Sequence, residues 1–193
     1  MSGHYHTRES VEEYIRMARG HDGRKIIARL RRYLPDGSSL LEIGSGPGTD
    51  WKLLGTHFKV LGSDSSPEFL KHLKKTYPEG EFMALDASSL DTGRLFDGIY
   101  SNKVLHHLGE EDLHRSVKRQ AEILQPDGIV CHSFWHGKGS EMYNDLFVNY
   151  HTDEGILRLF GDYFKPLCIQ YYKEFEERDS FFYIGQKKKG PAP

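Results

Sequence analysis

Three glycines at alternate positions, Gly44, Gly46 and Gly48, follow the apolar run Leu40-Leu41-Glu42-Ile43, with the acid Glu42 just ahead of them. Glycine tolerates a positive φ and lets the backbone press against a ligand, so this spacing suits a tight loop closed over a nucleotide. The helix-like segment that follows, Trp51-Lys52-Leu53-Leu54, turns its free N–H groups toward the same ligand. Asp64 lies 20 residues beyond Gly44. A carboxylate at that distance, on the tip of the next parallel strand, can accept hydrogen bonds from both ribose hydroxyls of an adenosine. Ser65 stands beside it, and Asp86-Ala87 ends the following strand-like run. Imidazoles that titrate near neutral pH occur at His106, His107 and His136, and these are candidates for a general base.

Positioning such groups takes a strand, a loop and a helix, repeated. Phe58 to Asp64 alternates as a short buried strand, and Ser66-Pro67-Glu68 opens a helix with an N-cap and a proline in its first turn. Strand patterns follow at Glu81 to Leu85, Phe96 to Asn102 and Ile129 to Trp135, with an amphipathic helix predicted from Glu110 to Leu124 and ended by Gln125-Pro126-Asp127-Gly128. The alternation predicts an α/β fold, a Rossmann-like, doubly wound, mostly parallel sheet whose terminal hairpin, Cys168 to Phe175 and Ser180 to Gly185, adds an antiparallel strand at the end. Between them, Glu141 to Phe160 is read as two short helices around His151-Thr152-Asp153, either a pocket lid or a packing unit. Ahead of the loop, residues 1–38 read as a helical cap. Ser10 to Glu13 fits a capping box with Ser10 as N-cap, Gly20 is the stop, and Ile26, Ile27, Leu30, Tyr33 and Leu34 form one apolar stripe among solvated arginines. Residues 39–187 form the main domain and 188–193 a frayed tail.

An acid followed by G-x-G-x-G, together with Asp64 and Asp86 at successive strand ends, resembles the first motifs of class I S-adenosylmethionine-dependent methyltransferases. The run Asp97 to Leu108, with Ser101 and then Leu105-His106-His107-Leu108, is similar to the fourth-strand region of the small-molecule members of the ubiquinone-biosynthesis type. The resemblance spans about residues 39–187 and implies the seven-stranded fold of that family. It implies S-adenosyl-L-methionine as cofactor, held by Glu42, Gly44, Ser45, Gly46, Gly48, Asp64, Ser65, Asp86, Ala87, Ser101 and Asn102. Asp86 would meet the adenine amine, Ser101 and Asn102 the methionine part, and His106 or His107 the methyl acceptor. By the same analogy the N-terminal helix covers the cofactor, through Arg8, Tyr14 or Arg16. Trp135 and His136, at the end of the fifth strand, are candidates for a substrate wall, with core packing as the alternative for Trp135.

Two other readings stay open at this level. A nicotinamide-dependent oxidoreductase uses a similar strand, glycine loop and later acid, but its G-x-G-x-x-G/A pattern meets Thr49 at the third glycine position. A sensor or partner subunit that binds the cofactor without turnover would need the same glycines and acids. The chain has 193 residues and a formal net charge of −2, so no basic field points to nucleic acid. A small molecule is the expected acceptor and a protein side chain the second choice; no N-P-P-Y-like segment follows the fourth strand. No apolar run approaches a membrane span, and the polar start predicts a cytoplasmic protein. Cys131 and Cys168 read as buried free thiols, and His132 with His136 lacks the acid or cysteine that a metal site would need. Oligomeric state is not legible.

Overall fold

Leu40 and Leu41 are neighbours in the strand that precedes the glycine loop, and both are fully buried, each in a different hydrophobic cluster. Side chains alternate across a strand, so this pattern requires a sheet covered on both faces. The computed structural model, which describes residues 7–143 and 146–189, has that architecture. Most of the predicted tail, 190–193, lies outside the described residues. Strands β1 (Ser39–Ile43), β2 (Lys59–Asp64), β3 (Glu81–Ala84), β4 (Phe96–Asn102), β5 (Leu124–Trp135), β8 (Phe164–Tyr172) and β9 (Ser180–Lys187) form one sheet in the order β3-β2-β1-β4-β5-β9-β8. All pairings from β3 to β5 are parallel, and β9 runs antiparallel to both β5 and β8.

The alternation repeats along the sheet. Leu41, Ile99, Val130 and Tyr183 join one cluster, built with α5 (Glu110–Ile123) and α6 (Asp153–Gly161) through Leu113, Val117, Ile156 and Phe160. Leu40, Tyr100, Cys131 and Ile184 join the other, with Ile26, Ile27, Leu30 and Leu34 from α2 (Arg24–Leu30) and its following turn. Leu54 of α3 (Thr49–Leu54) completes that layer. Strand order reverses between β1 and β4. Crossovers from these two strands leave to opposite sides, which opens a crevice at their carboxyl ends.

The structure corrects three expectations. The first helix, α1 (Arg8–Met17), is capped by Thr7, whose side chain accepts from the Ser10 N–H, so Ser10 is inside the helix. The segment after β5 is not two helices. It is a hairpin, β6 (Ser140–Tyr143) with β7 (Leu146–Asn149), followed by α6. Met142, Leu146 and Tyr150 have helical spacing, yet the Leu-Phe-Val run suits a half-buried strand and the local pairing decides. β5 begins at Leu124, so Pro126-Asp127-Gly128 forms an irregularity in the pairing with β4 and does not precede the strand. As expected, the C-terminal strand β9 is the antiparallel one; it lies inside the sheet, and β8 takes the edge.

One polar chain is sealed within the packed layer between the sheet and α5. Ser101 Oγ lies 2.8 Å from His132 Nδ1, His132 Nε2 lies 2.8 Å from Gln120 Oε1, and Gln120 donates to Ser116 Oγ. All four residues are fully buried. The amide oxygen can only accept, so Nε2 carries the imidazole proton and Nδ1 accepts from the serine hydroxyl. Burial pushes His132 down to about 3 and His151 to about 4. The unfolded chain therefore binds more protons than the fold as pH drops below the usual histidine range. Their contribution to stability is complete above pH ~6.5 and is lost progressively toward pH ~3. We expect the melting temperature to fall across that window, and the His132→Gln variant, which keeps a donor and an acceptor without titrating, to show a shallower fall when scanned by calorimetry.

Candidate active site

The loop after β1 takes its shape from its glycines. Gly44, Gly46 and Gly48 all have positive φ, +69°, +48° and +83°. A Cβ on Gly44 would come within 2.6 Å of the Val104 side chain, and one on Gly48 within 2.6 Å of Tyr77. These two positions therefore exclude side chains twice over, by conformation and by space. Asp64 fastens the loop to the second strand. Its Oδ2 accepts from Gly46 N–H at 2.9 Å and its Oδ1 from Ser66 N–H at 2.9 Å, opening α4 (Pro67–Thr76). Each carboxylate oxygen can take a further donor. Burial raises this carboxyl, opposed by the backbone hydrogen bonds it accepts. Ser45 Oγ donates to Glu42 at 2.6 Å and accepts from Ser63 N–H, so Glu42 too is anchored beneath the loop. Full burial, with Asp50 and Asp64 nearby, pushes the Glu42 carboxyl up to about 8.

Two cavities open over this loop. The first, about 440 Å³, is bounded by Asp64, Ser65, Phe69, Leu85, Ala87 and His107, among others. The second, about 630 Å³, extends past Glu42, Asp50 and Asn102 to Trp135, Glu141 and Phe175. They meet at Tyr14, Gly44, Gly46, Lys103 and Val104. Tyr14 of α1 reaches over Gly46 and sets its ring edge-on to Phe69. Of the three residues singled out on the first helix, Tyr14 is the one that lines the cavities.

The structure distributes the remaining predicted site residues unevenly. Asn102 lines the second cavity. Ser101 alternates to the opposite face and is spent on His132. Asp86 accepts from the Ser88 backbone and hydroxyl and is held below the usual carboxylate range by those bonds, against the effect of burial, while Leu85 and Ala87 contribute to the cavity wall. His107 lines the first cavity and donates Nδ1–H to Phe147 O at 2.7 Å. His106 is buried behind it, rings 4.0 Å apart, and burial depresses its imidazole well below the usual range. Its Nδ1 has no hydrogen-bond partner among the described residues. His136 falls outside both cavity walls: the chain turns after Trp135, its Nδ1–H goes to Arg178 O, and its ring meets Tyr171 and Phe181. Trp135 forms wall, not core.

Two residues carry more of the site than the sequence reading assigned them. Asp50, in the first turn of α3, is nearly buried and gathers three donors: Gly23 N–H at 2.7 Å, Tyr100 OH at 2.7 Å and Asn102 Nδ2 at 3.0 Å. Its position in the helix after the glycine loop was the available signal. Lys103 sits just past β4 with φ +56°, a left-handed conformation that is uncommon outside glycine. Its ammonium donates to Phe134 O at 3.1 Å and Ser180 Oγ at 2.7 Å and lies 3.2 Å from the Trp135 ring centre. Burial lowers it to about 7, against the pull of Glu174 and Asp179. No group of three or more His, Cys, Asp or Glu side chains among the described residues is placed to hold a metal ion.

Comparison with known proteins bears on the fold and the domain. Residues 40–128 match the family model described as a methyltransferase domain. A trans-aconitate 2-methyltransferase of Azoarcus sp. (strain BH72) is 29% identical over 125 residues, 62% of this chain and 48% of that protein. The chain thus spans about half the length of the curated relatives it matches. A crystal structure of the 1,6-didemethyltoxoflavin-N1-methyltransferase of Burkholderia thailandensis, with that compound and S-adenosylhomocysteine bound, has a TM-score of 0.72 at 21% identity, covering 98% of this chain and 92% of that one. The N-methyltransferase NodS of Bradyrhizobium japonicum WM9, in complex with S-adenosylhomocysteine, has a TM-score of 0.73 at 17% identity, covering 95% and 100%. At such identities these structures establish a shared fold.

Removing the Asp50 carboxylate strands a backbone N–H, a tyrosine hydroxyl and an amide at a nearly buried point. Asp50→Ala is therefore expected to lower unfolding stability by about 3 kcal/mol in a urea titration.

Proposed function

We propose that this chain, which belongs to the class I S-adenosylmethionine-dependent methyltransferases by its fold and its methyltransferase-domain segment, transfers a methyl group to a small-molecule acceptor. The observation that carries this reading is the glycine cradle itself: three positive-φ glycines, one tied to Asp64, beneath two joined cavities large enough for a nucleoside and a second molecule. S-adenosylmethionine bound there would supply a sulfonium methyl group that is already electrophilic. The protein's part is alignment and exclusion of water.

Each wall has a task in this arrangement. Asp64 receives the ribose hydroxyls, with Ser65 beside it, and Leu85, Ala87 and Phe69 form the apolar slot for the adenine. Asp86 lies between Leu85 and Ala87 in sequence but lines neither cavity. Asp50, Glu42 and Asn102 face the amino-acid end, where carboxyl groups complement an ammonium. Tyr14 closes the loop from above. His107, with its Nδ1 proton committed to Phe147 O, lines the first cavity, on the cofactor side, and not the second. The alternative of a cofactor-binding subunit without turnover keeps every cofactor contact but leaves the part of the second cavity at Trp135, Glu141 and Phe175 without a purpose.

The trans-aconitate enzyme and the toxoflavin enzyme act on small molecules by their names, which favours that acceptor class here over a protein side chain. The compartment we assign is the cytoplasm: Cys131 and Cys168 are free thiols, as expected where disulfides are reduced. Among the described residues no helix is long and apolar enough to cross a membrane.

Calorimetric titration tests the cofactor first: S-adenosylmethionine and S-adenosylhomocysteine are expected to bind and NAD(H) is not. Binding of NAD(H) alone would overturn the assignment. Asp64→Ala is expected to weaken S-adenosylmethionine binding by about 2 kcal/mol; because it also frees the Gly46 and Ser66 amides, Asp64→Asn is titrated beside it in the folded state. A cation seated beside Glu42 favours its ionised form. Binding near pH 7 should therefore release a proton, visible as a heat that changes with the ionisation enthalpy of the buffer, and Glu42→Gln should abolish that change.

A further inference from the structure

The second cavity continues past the loop to a wall that the cofactor reading does not use. That wall comes from separate parts of the chain: Trp135 at the end of β5, Glu141 and Tyr150 from the β6–β7 hairpin and the residue after it, and Glu174 and Phe175 from the β8–β9 connection. Met17, at the end of α1, lies at the same cavity. Met17 and Phe175 are 55% and 64% exposed, two of the most exposed large apolar side chains in the described structure. Such side chains at a cavity mouth suit an apolar body on the molecule that enters.

Charge then selects the polar end of that molecule. The wall carries two carboxylates, Glu141 and Glu174. Glu141 accepts from Tyr150 OH, and Glu174 accepts from His21 at 2.9 Å. Each carboxylate can still receive further donors, since a carboxylate accepts at about four sites. Among the described residues no arginine lines this cavity, and its one lysine, Lys103, already directs its ammonium to Phe134 O, Ser180 Oγ and the Trp135 ring. An anionic acceptor would find Glu141, Glu174 and, nearby in the same cavity, Asp22, with no uncommitted cation among the described residues. A group that donates hydrogen bonds would find both carboxylates.

We infer that the methyl acceptor is a nitrogen base with a flat or apolar body, its N–H groups received by Glu141 and Glu174, and not a polycarboxylate. This rests on the methyl-transfer reading above and specifies its acceptor. The acceptor nitrogen enters uncharged, and its lone pair forms the new N–C bond while the C–S bond breaks and its electron pair stays on sulfur. The proton that the methylated nitrogen sheds passes to Glu174 and from there to His21 or water. An aromatic or heteroaromatic amine fits best, because it is neutral at pH 7 and keeps its lone pair beside the carboxylates.

The test is binding of small probes to the protein saturated with S-adenosylhomocysteine, followed by ligand-observed NMR. Benzimidazole and 3-aminoquinoline, both uncharged at pH 7, represent flat nitrogen bases, 2-naphthoate a flat anion and citrate a polycarboxylate. The bases should bind and the two anions should not. Glu141→Gln and Glu174→Gln should each weaken base binding about tenfold while S-adenosylhomocysteine affinity stays within twofold. Binding of citrate or 2-naphthoate in preference to the bases overturns the inference, as does base binding that both variants leave unchanged, or failure of both bases to bind the loaded protein. Failure to bind S-adenosylhomocysteine at all refutes the methyl-transfer reading beneath it instead.

Discussion

A single nearly buried carboxylate, that of Asp50, holds the site's framework together. It sits in the first turn of α3, immediately after the glycine loop, and accepts from the residue that begins α2 and from two residues of β4. Three elements that are far apart in sequence are thereby brought to one point below the loop. The hydrophobic clusters press the layers together without direction, whereas this charge fixes where along the sheet the helices and the fourth strand meet. The glycine loop inherits its position from that meeting, and Val104, seated against Gly44, inherits it from β4.

The two ends of the sheet show what a parallel arrangement does to polar residues. Near the carboxyl ends of β1, β2 and β4, Glu42, Asp64 and Asn102 approach the cavities and retain acceptor or donor capacity. One residue away, Ser101 points to the opposite face and is consumed by the Ser116–Gln120–His132 chain. The period of two thus sorts neighbours with similar chemistry into a site residue and a packing residue.

Much of this order was legible before the structure. Glycines at alternate positions, acids at strand ends and unbroken apolar strands each have a local physical cause, so the fold, the loop and Asp64 followed directly. What escaped were contacts decided by pairing and packing, which no single segment states. Residues 140–149 have spacing compatible with a helix, and only the partner strand makes them a hairpin. The histidine pair divided, His107 to the cavity and His106 behind it, because the turn between β4 and α5 is a tight 3₁₀ turn whose facing no periodicity states. Lys103 looked like an ordinary polar residue. Its role depends on Phe134, Trp135 and Ser180, brought from two other strands.

The internal place of β9 has a bearing on how the chain reaches this state. β9 is the last strand in sequence among the described residues, yet it pairs with β5 on one side and β8 on the other. During synthesis, β5 therefore emerges, and β8 after it, with a gap between them that nothing yet made can fill. Both present unpaired edges until the last strand arrives and joins them. The β8–β9 pairing is local and the β5–β9 pairing is not, so the edge of β5 stays open until Ser180–Lys187 reaches it.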